Sequence, residues 1–310
     1  MKILFMGTPD FAVFSLHSLI KAGHDVCAAV TQPDKPRGRG YTLTPPPVKV
    51  AALEAGIPVY QPATLRDEAF AALLAQLDPE VIVVVAYGKI LPKNVLDYPR
   101  YGCVNVHGSL LPEYRGAAPM QRAIIDGKRE TGITTMLMAE GLDTGDMLLR
   151  RALPIETDDN FETIHDKLGA LGAELIAETL DGLANGAITP VRQDDSLATY
   201  AAKIEKSDCL INFDRSAREV HDQIRGLSPI PLSFTHTPDG KLLKVTSAVI
   251  CEESSENAVT GKVVSLDSGI TVTCAEGSVT LTGVLPEGKG RMSAADFIRG
   301  RKIALGDILK

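Results

Sequence analysis

The sequence predicts a doubly wound α/β domain followed by a smaller β domain, and three observations carry this. The first half alternates apolar runs of strand length with helical patterns, which calls for a mostly parallel sheet covered on both faces. One run, Val81-Ile82-Val83-Val84-Val85, is β-branched throughout, as a strand buried on both faces should be. After Cys209 the texture changes to short alternating strands, separated by turns at Asp239-Gly240, Asp267-Ser268-Gly269 and Glu276-Gly277. That spacing suits a small barrel or sandwich, the OB type of barrel being one candidate. With 310 residues the chain has room for two cores.

Taken in order, the clearest strands are expected over residues 3–6, 26–31 and 81–86, with helices over 10–22, 48–55 and 66–76 among them. Further strands are expected over 103–106 and 131–138, then a long helix over 160–184. The pattern weakens near 188–207, and strands follow over 242–250, 258–264, 269–274 and 278–284. The organisation expected is therefore a Rossmann-like domain over 1–188, a linker over 189–207 and an OB-like domain over 208–310.

Hydrophobic residues make up 45% and charged residues 23%, which fits a soluble folded protein and excludes a disordered one. The apolar run at the start is broken at Gly7-Thr8-Pro9-Asp10, too soon for a signal-peptide core or a membrane span. Five cysteines, Cys27, Cys103, Cys209, Cys251 and Cys274, are far apart and form no CxxC pair. They read as reduced thiols of a cytoplasmic protein, with no metal site. The net charge is −7, which on average disfavours nucleic acid, since phosphate binding is driven by Lys and Arg. The charge is uneven: residues 1–200 hold 18 basic and 25 acidic residues, whereas 201–310 hold 14 of each.

In open parallel sheets, ligands sit beyond the carboxyl ends of the strands. Gly7-Thr8-Pro9-Asp10 lies there but lacks the GxGxxG spacing, so a nicotinamide dehydrogenase is disfavoured and a plain capped turn suffices. Asn105 and His107 end the strand expected over 103–106, and alternation puts them on one side. An amide donor beside a titratable imidazole suits a carbonyl under attack, although a lone His after a strand also serves structure. Asp143 sits in the glycine-flanked loop Gly141-Leu142-Asp143-Thr144-Gly145-Asp146. It is either a turn former or a carboxylate that orients the imidazole.

These motifs together resemble the folate-dependent formyltransferases. The signature is Asn105-x-His107 followed by Ser-Leu-Leu-Pro, then Leu-Asp143-Thr-Gly-Asp. The full pattern is close to that of the members acting on methionyl-tRNA, through Gly7–Ala12, Thr31–Gly40, Ala86–Pro92 and Tyr114–Arg122. The likeness is specific to about residue 180 and continues more weakly to Lys310. It implies 10-formyltetrahydrofolate as formyl donor, no metal, and an amine nucleophile brought by the substrate. Asn105 would polarise the formyl carbonyl, His107 would stabilise the oxyanion, and Asp143 would set the charge of His107 and remove a proton through water. Ser109, Leu110, Leu111 and Pro112 match the folate-contacting segment, while Ala86, Tyr87 and Gly88 would line the pterin pocket, more by backbone than by side chain.

Two acceptors compete, because formyltransferases for amino-sugar nucleotides share the Asn-x-His and Asp signature. The discriminating feature is Gln32–Pro47, which holds five prolines and two glycines and is either a solvated excursion or a functional loop. The resemblance implies that this insert clamps an acceptor stem through Lys35, Arg37 and Arg39, and that the partner is initiator Met-tRNA. Near the C-terminus Lys289, Arg291, Arg299, Arg301 and Lys302 face only Asp296 over fourteen residues, either a second tRNA-binding surface or a solvated helix face. A monomer is expected. A folate- or RNA-binding module without activity is disfavoured by the presence of all three chemical residues.

Overall fold

The computed structural model describes residues 1–37, 42–251 and 259–310. In chain order it begins with β1 (Lys2–Gly7), α1 (Asp10–Lys21), β2 (Asp25–Val30), β3 (Lys35–Arg37), β4 (Thr42–Thr44), α2 (Pro47–Glu54) and β5 (Val59–Tyr60). Next come α3 (Glu68–Leu77), β6 (Val81–Val85), α4 (Lys93–Leu96), β7 (Cys103–His107), β8 (Arg115–Gly116) and α5 (Pro119–Ile125). Then follow β9 (Glu130–Leu137), β10 (Met147–Pro154), α6 (Phe161–Ala184), β11 (Tyr200–Ala201) and α7 (Ala217–Gly226). The chain closes with β12 (Ser233–His236), β13 (Leu242–Cys251), β14 (Val263–Ser265), β15 (Ile270–Thr273), β16 (Ser278–Pro286), β17 (Met292–Ser293) and α8 (Ala294–Arg299). One compact unit comprises residues 1–116, 131–154 and 165–200, and the other comprises 117–130, 155–164 and 201–310.

The first unit is built on a seven-stranded sheet of order β10-β9-β7-β6-β1-β2-β5. The pairs β1/β2, β1/β6, β2/β5 and β6/β7 are parallel, and β7/β9 is antiparallel. All five residues of β6 are buried, because an inner strand with layers on both faces leaves no side for water. Helix α1 buries Phe11, Ala12, Leu16 and Leu19, an apolar stripe at helical spacing. Strand and helix meet closely at Gly7, where a Cβ would lie 2.8 Å from the Cβ of Ala12 and 3.0 Å from the carbonyl of Val85. Because β2 and β6 lie on opposite sides of β1, the strand order reverses there and opens a crevice at the carboxyl edge.

The second unit carries an antiparallel sheet of order β12-β13-β16-β15-β14, with β17 added on β16. Its pairing order has two ends, so among the described residues the sheet is open, a half-barrel and not a closed one. Register shifts between Val245 and Ala248 bend β13. Leu243, Val245, Val272, Val279 and Leu281 form a core with Val220 and Ile224 of α7 and Phe297 of α8. Ser216 and Glu219 close a capping box at the start of α7.

Several expectations need correction. The strand expected over 258–264 begins at Ala258, outside the described residues, and is seen only as Val263–Ser265. Strand β10 is exposed at every second position from Arg150 onward, but its sequence, MLLRRALP, does not alternate apolar with polar residues, since Arg150 and Arg151 are adjacent. Helix α7 was hidden by composition, since AREVHDQIRG offers little apolar besides Val220 and Ile224. Residues 189–200, within the expected linker, belong to the first unit. They are fastened by reciprocal backbone bonds of 2.8 Å between Met147 and Val191 and by Gln193, which is 4% exposed. The aperiodic Gln32–Pro47 stretch contains the antiparallel pair β3/β4.

The second unit also contains a buried ion pair. Asp222 is 3% exposed and accepts from Arg225 Nε at 2.7 Å, while Arg225 Nη1 donates to the carbonyls of Glu156 and Asp159. Burial works to raise the Asp222 pKa, but the hydrogen bonds and charges of His221 and Arg225 outweigh it and hold the carboxyl below its ordinary value. The stability it contributes is therefore present above the ordinary Asp value of 3.8 and is lost as pH falls through the lower folded value. Asp222→Ala should strand the Arg225 charge and cost about 3–5 kcal/mol. The measurement is the urea midpoint at neutral pH.

Candidate active site

The carboxyl edge of the sheet is laced together by short polar bonds. Thr8, just after β1, donates its hydroxyl to the carbonyl of Tyr87 at 3.0 Å, and Gln32, just after β2, donates its amide to the same carbonyl at 3.1 Å. Ala86 and Gly88 flank Tyr87 with left-handed φ of 46° and 82°, so the chain leaves β6 in a sharp turn. The Tyr87 ring is turned into the core at 1% exposure, and burial pushes its phenol up to about 12. What this expected pocket segment exposes is Ala86 and Gly88.

Strand β7 delivers Asn105 and His107, which are 9% and 5% exposed and pair in register with Met136 and Thr134 of β9. His107 Nε2 lies 2.9 Å from the carbonyl of Tyr114. A carbonyl can only accept, so this nitrogen carries the hydrogen. The opposite nitrogen, Nδ1, then faces Asp143 Oδ2 at 3.7 Å, an ion-pair distance when the ring is protonated. Asp143 Oδ2 also accepts from the backbone amide of Gly116 at 2.8 Å. Asp143 itself is left-handed, with φ of 51°. The turn that presents it depends on Gly145, where any Cβ would overlap the carbonyl of Leu137.

The segment Ser109–Pro112 is anchored more than it is offered. Ser109 donates to the carbonyl of Glu113 at 2.6 Å, Leu111 is fully buried, and Thr134 bonds both the carbonyl of Ser109 and the amide of Leu111. Leu110 and Pro112 retain partial exposure. Four residues that the sequence did not single out shape the site: Tyr114, Arg115 and Gly116, which stand inside the Tyr114–Arg122 motif, and Gln193, which stands in no motif. Arg115 is 2% exposed and donates Nε and Nη2 to Gln193 Oε1 at 3.0 and 2.9 Å, with Nη2 also on Asp195 at 2.8 Å.

Burial pushes the thiols of Cys103 and Cys274 up to about 12 and about 11, and those of Cys27 and Cys209 are raised in the same way. Raised thiols make poor nucleophiles. Among the described residues no group of three or more His, Cys, Asp or Glu side chains could hold a metal ion. No helix among them is long and apolar enough to cross a membrane.

On the insert, Lys35 is exposed, Arg37 ends β3, and Arg39 lies outside the described residues. The insert's one acid, Asp34, is bonded by Lys49 at 2.8 Å and by Gln61, which hold its carboxyl below the usual range. The carboxylate of Asp34 is thus already taken by Lys49, which lies outside the insert. In the second unit Lys289, Arg291, Arg299, Arg301 and Lys302 are all exposed. Arg299 is paired with Asp296 one helical turn before it, and Arg291 reaches the carbonyl of Pro229 at 3.2 Å.

Comparison with known proteins agrees along the whole chain. The formyl transferase family model matches residues 1–180, and the model of the formyl transferase C-terminal domain matches residues 203–302. A methionyl-tRNA formyltransferase of Citrifermentans bemidjiense is 48% identical over 310 residues, covering 100% of this chain and 96% of that protein. One of Pelotomaculum thermopropionicum is 49% identical, covering 100% and 98%. Among solved structures, the N-formyltransferase of Helicobacter canadensis in complex with folinic acid and dTDP-3-aminofucose shares the fold, with a TM-score of 0.68 at 18% identity over 91% of this chain and 98% of that one. Matched in both its parts and nearly half identical to full-length relatives, the chain belongs to the formyl transferase family, among the methionyl-tRNA formyltransferases.

Proposed function

We propose that this chain transfers the formyl group of 10-formyltetrahydrofolate to the α-amino group of methionine on initiator Met-tRNA, in the cytoplasm, at the start of translation. The observation that carries the proposal is His107 Nδ1 facing Asp143 Oδ2 at 3.7 Å, with Asn105 two residues earlier on the same side of β7. The relatives named as methionyl-tRNA formyltransferases support the acceptor. The exposed Ala86 and Gly88 and the part-exposed Leu110 and Pro112 leave these segments open to a folate.

10-Formyltetrahydrofolate supplies the formyl carbonyl and departs as tetrahydrofolate. The methionine amine is its own nucleophile, so a new C–N bond forms at the formyl carbon as the carbonyl electrons move to oxygen. Asn105 donates its amide to that oxygen, and protonated His107 stabilises the negative charge. Asp143 keeps the imidazolium paired and takes the amine proton through a water. Collapse of the tetrahedral centre breaks the bond to the folate nitrogen, which recovers a proton. Tyr114 and Gly116 hold the His107 and Asp143 side chains in place, so the geometry need not be assembled at each turnover.

An amino-sugar nucleotide is the competing acceptor. The β3/β4 insert favours tRNA, because its Lys35, Arg37 and Arg39 outnumber its one acid, Asp34, which pairs with Lys49. Residues 1–188 then carry the chemistry, and residues 208–310 dock tRNA through Lys289, Arg291, Arg299 and Arg301.

Replacing His107 with Asn, or Asp143 with Asn, should lower kcat by roughly 10²–10⁴-fold while the thermal midpoint stays near that of the parent. Single-turnover formylation of charged initiator tRNA measures it. Reversing charge at Arg291, Arg299 and Arg301 should raise the KM for charged tRNA and flatten its log–log salt dependence by roughly 0.7–0.9 for each phosphate that is no longer neutralised. A salt series on parent and variant decides; an unchanged slope would leave these arginines as solvated surface.

A further inference from the structure

We propose that Gln193 is a positioning residue, the part that locks the Asp143 turn against the rest of the site; this rests on the assignment of Asp143 as catalytic. Its amide makes four hydrogen bonds, and all four bear on the site. Nε2 donates to the carbonyl of Asp143 and to the carbonyl of Gly145, each at 2.7 Å. Oε1 accepts both guanidinium bonds from Arg115. A primary amide has two donor hydrogens and two acceptor lone pairs. Here every one is spent, in a side chain that is 4% exposed.

The bonds connect two stretches that also meet where Gly116 N donates to Asp143 Oδ2. Arg115 lies between Tyr114, whose carbonyl holds His107, and Gly116, whose amide holds Asp143. Gln193 therefore ties the backbone that grips both catalytic side chains to the backbone of the turn that presents Asp143. The turn needs such a tie. Asp143 is left-handed, a conformation that costs a non-glycine residue of order 1–3 kcal/mol and persists only where its surroundings fix it. Two carbonyls of a strained turn pinned by one buried amide meet that requirement.

The chemistry also shows why glutamine and not another residue stands at 193. Glutamate would keep both acceptors for Arg115 and add charge, but it has no hydrogen to give the carbonyls of Asp143 and Gly145. Methionine would keep the length and lose all four bonds. Either change leaves Asp143, His107 and Asn105 in the sequence and loosens only the turn. A displacement of about 1 Å at a reacting group lowers turnover by about 10²-fold.

The test uses the full chain with 10-formyltetrahydrofolate and charged initiator tRNA. Gln193→Glu and Gln193→Met should each lower kcat by roughly 10–100-fold, with KM for both substrates within about twofold of the parent. Both should lower the melting temperature, Gln193→Met the more because it removes an acceptor from Arg115 as well as the donor to two carbonyls, while the chain stays folded at the assay temperature. In an Asp143→Asn background the added Gln193→Glu should cost less than about threefold, because the group it positions is already gone. A parental kcat in the Gln193 variants, a loss carried by KM, or a full multiplicative loss in the Asp143→Asn background would overturn the inference. So would a collapse of melting temperature in both variants, which would make Gln193 a fold residue. A parental kcat in Asp143→Asn alone would instead sink the catalytic assignment of Asp143.

Discussion

The site depends on one hydrogen bond, from His107 Nε2 to the carbonyl of Tyr114 at 2.9 Å. Because the carbonyl accepts, the bond assigns the imidazole tautomer and leaves Nδ1 free to meet Asp143. The same short stretch of chain also supplies Gly116 N to Asp143 Oδ2, so one loop sets the orientation of both side chains. To do this Tyr114 adopts a left-handed φ of 60°. Ala86 and Asp143 are left-handed as well, which places three of the strained non-glycine residues at the carboxyl edge. Strain of this kind is stored where geometry matters, and the buried, doubly covered strands β1, β6 and β7 are stiff enough to support it.

What the sequence made legible follows from how strongly each element is determined by its own residues. The strands β1, β2, β6 and β7 and the helices α1, α2, α3 and α6 were expected within a few residues of where they lie, because burial on both faces or along one stripe writes a clear apolar pattern. Strand β10 and helix α7 write no such pattern, since one sets two adjacent arginines among apolar residues without alternation and the other is mostly polar. The sites divide in the same way. Asn105, His107 and Asp143 stand in motifs that single them out, whereas Gln193 is a polar residue in a stretch without periodicity. Its role exists only in the folded chain, where a distant arginine and two carbonyls come within bonding distance.

The expected folate segment illustrates a different limit. In the motif Ser109–Pro112 the most conspicuous side chains are spent on holding the turn. Ser109 bonds Glu113 and Leu111 fills the core. Tyr87 behaves alike, offering its neighbours' backbone while its ring is buried and its carbonyl is occupied by Thr8 and Gln32. A motif names the place where a ligand is met, but burial decides which atoms at that place are left to meet it.

The same logic bears on how one catalytic arrangement serves different amines. The parts that fix Asn105, His107 and Asp143 are strands, a main-chain carbonyl, a main-chain amide and one buried glutamine. Acceptor choice is then free to reside in exposed elements such as the β3/β4 insert and the basic residues near the C-terminus. Their electrostatics are local: Lys49 removes the insert's acid from the balance, and Asp296 offsets only Arg299 among the terminal basic residues. A chain of net charge −7 can therefore present positive surface to a phosphate backbone, because at physiological salt charges are felt over about 8 Å and the average over the molecule is not. On the proposed function, the charged and exposed elements are the ones that would choose the acceptor, while the buried parts that hold Asn105, His107 and Asp143 are independent of it.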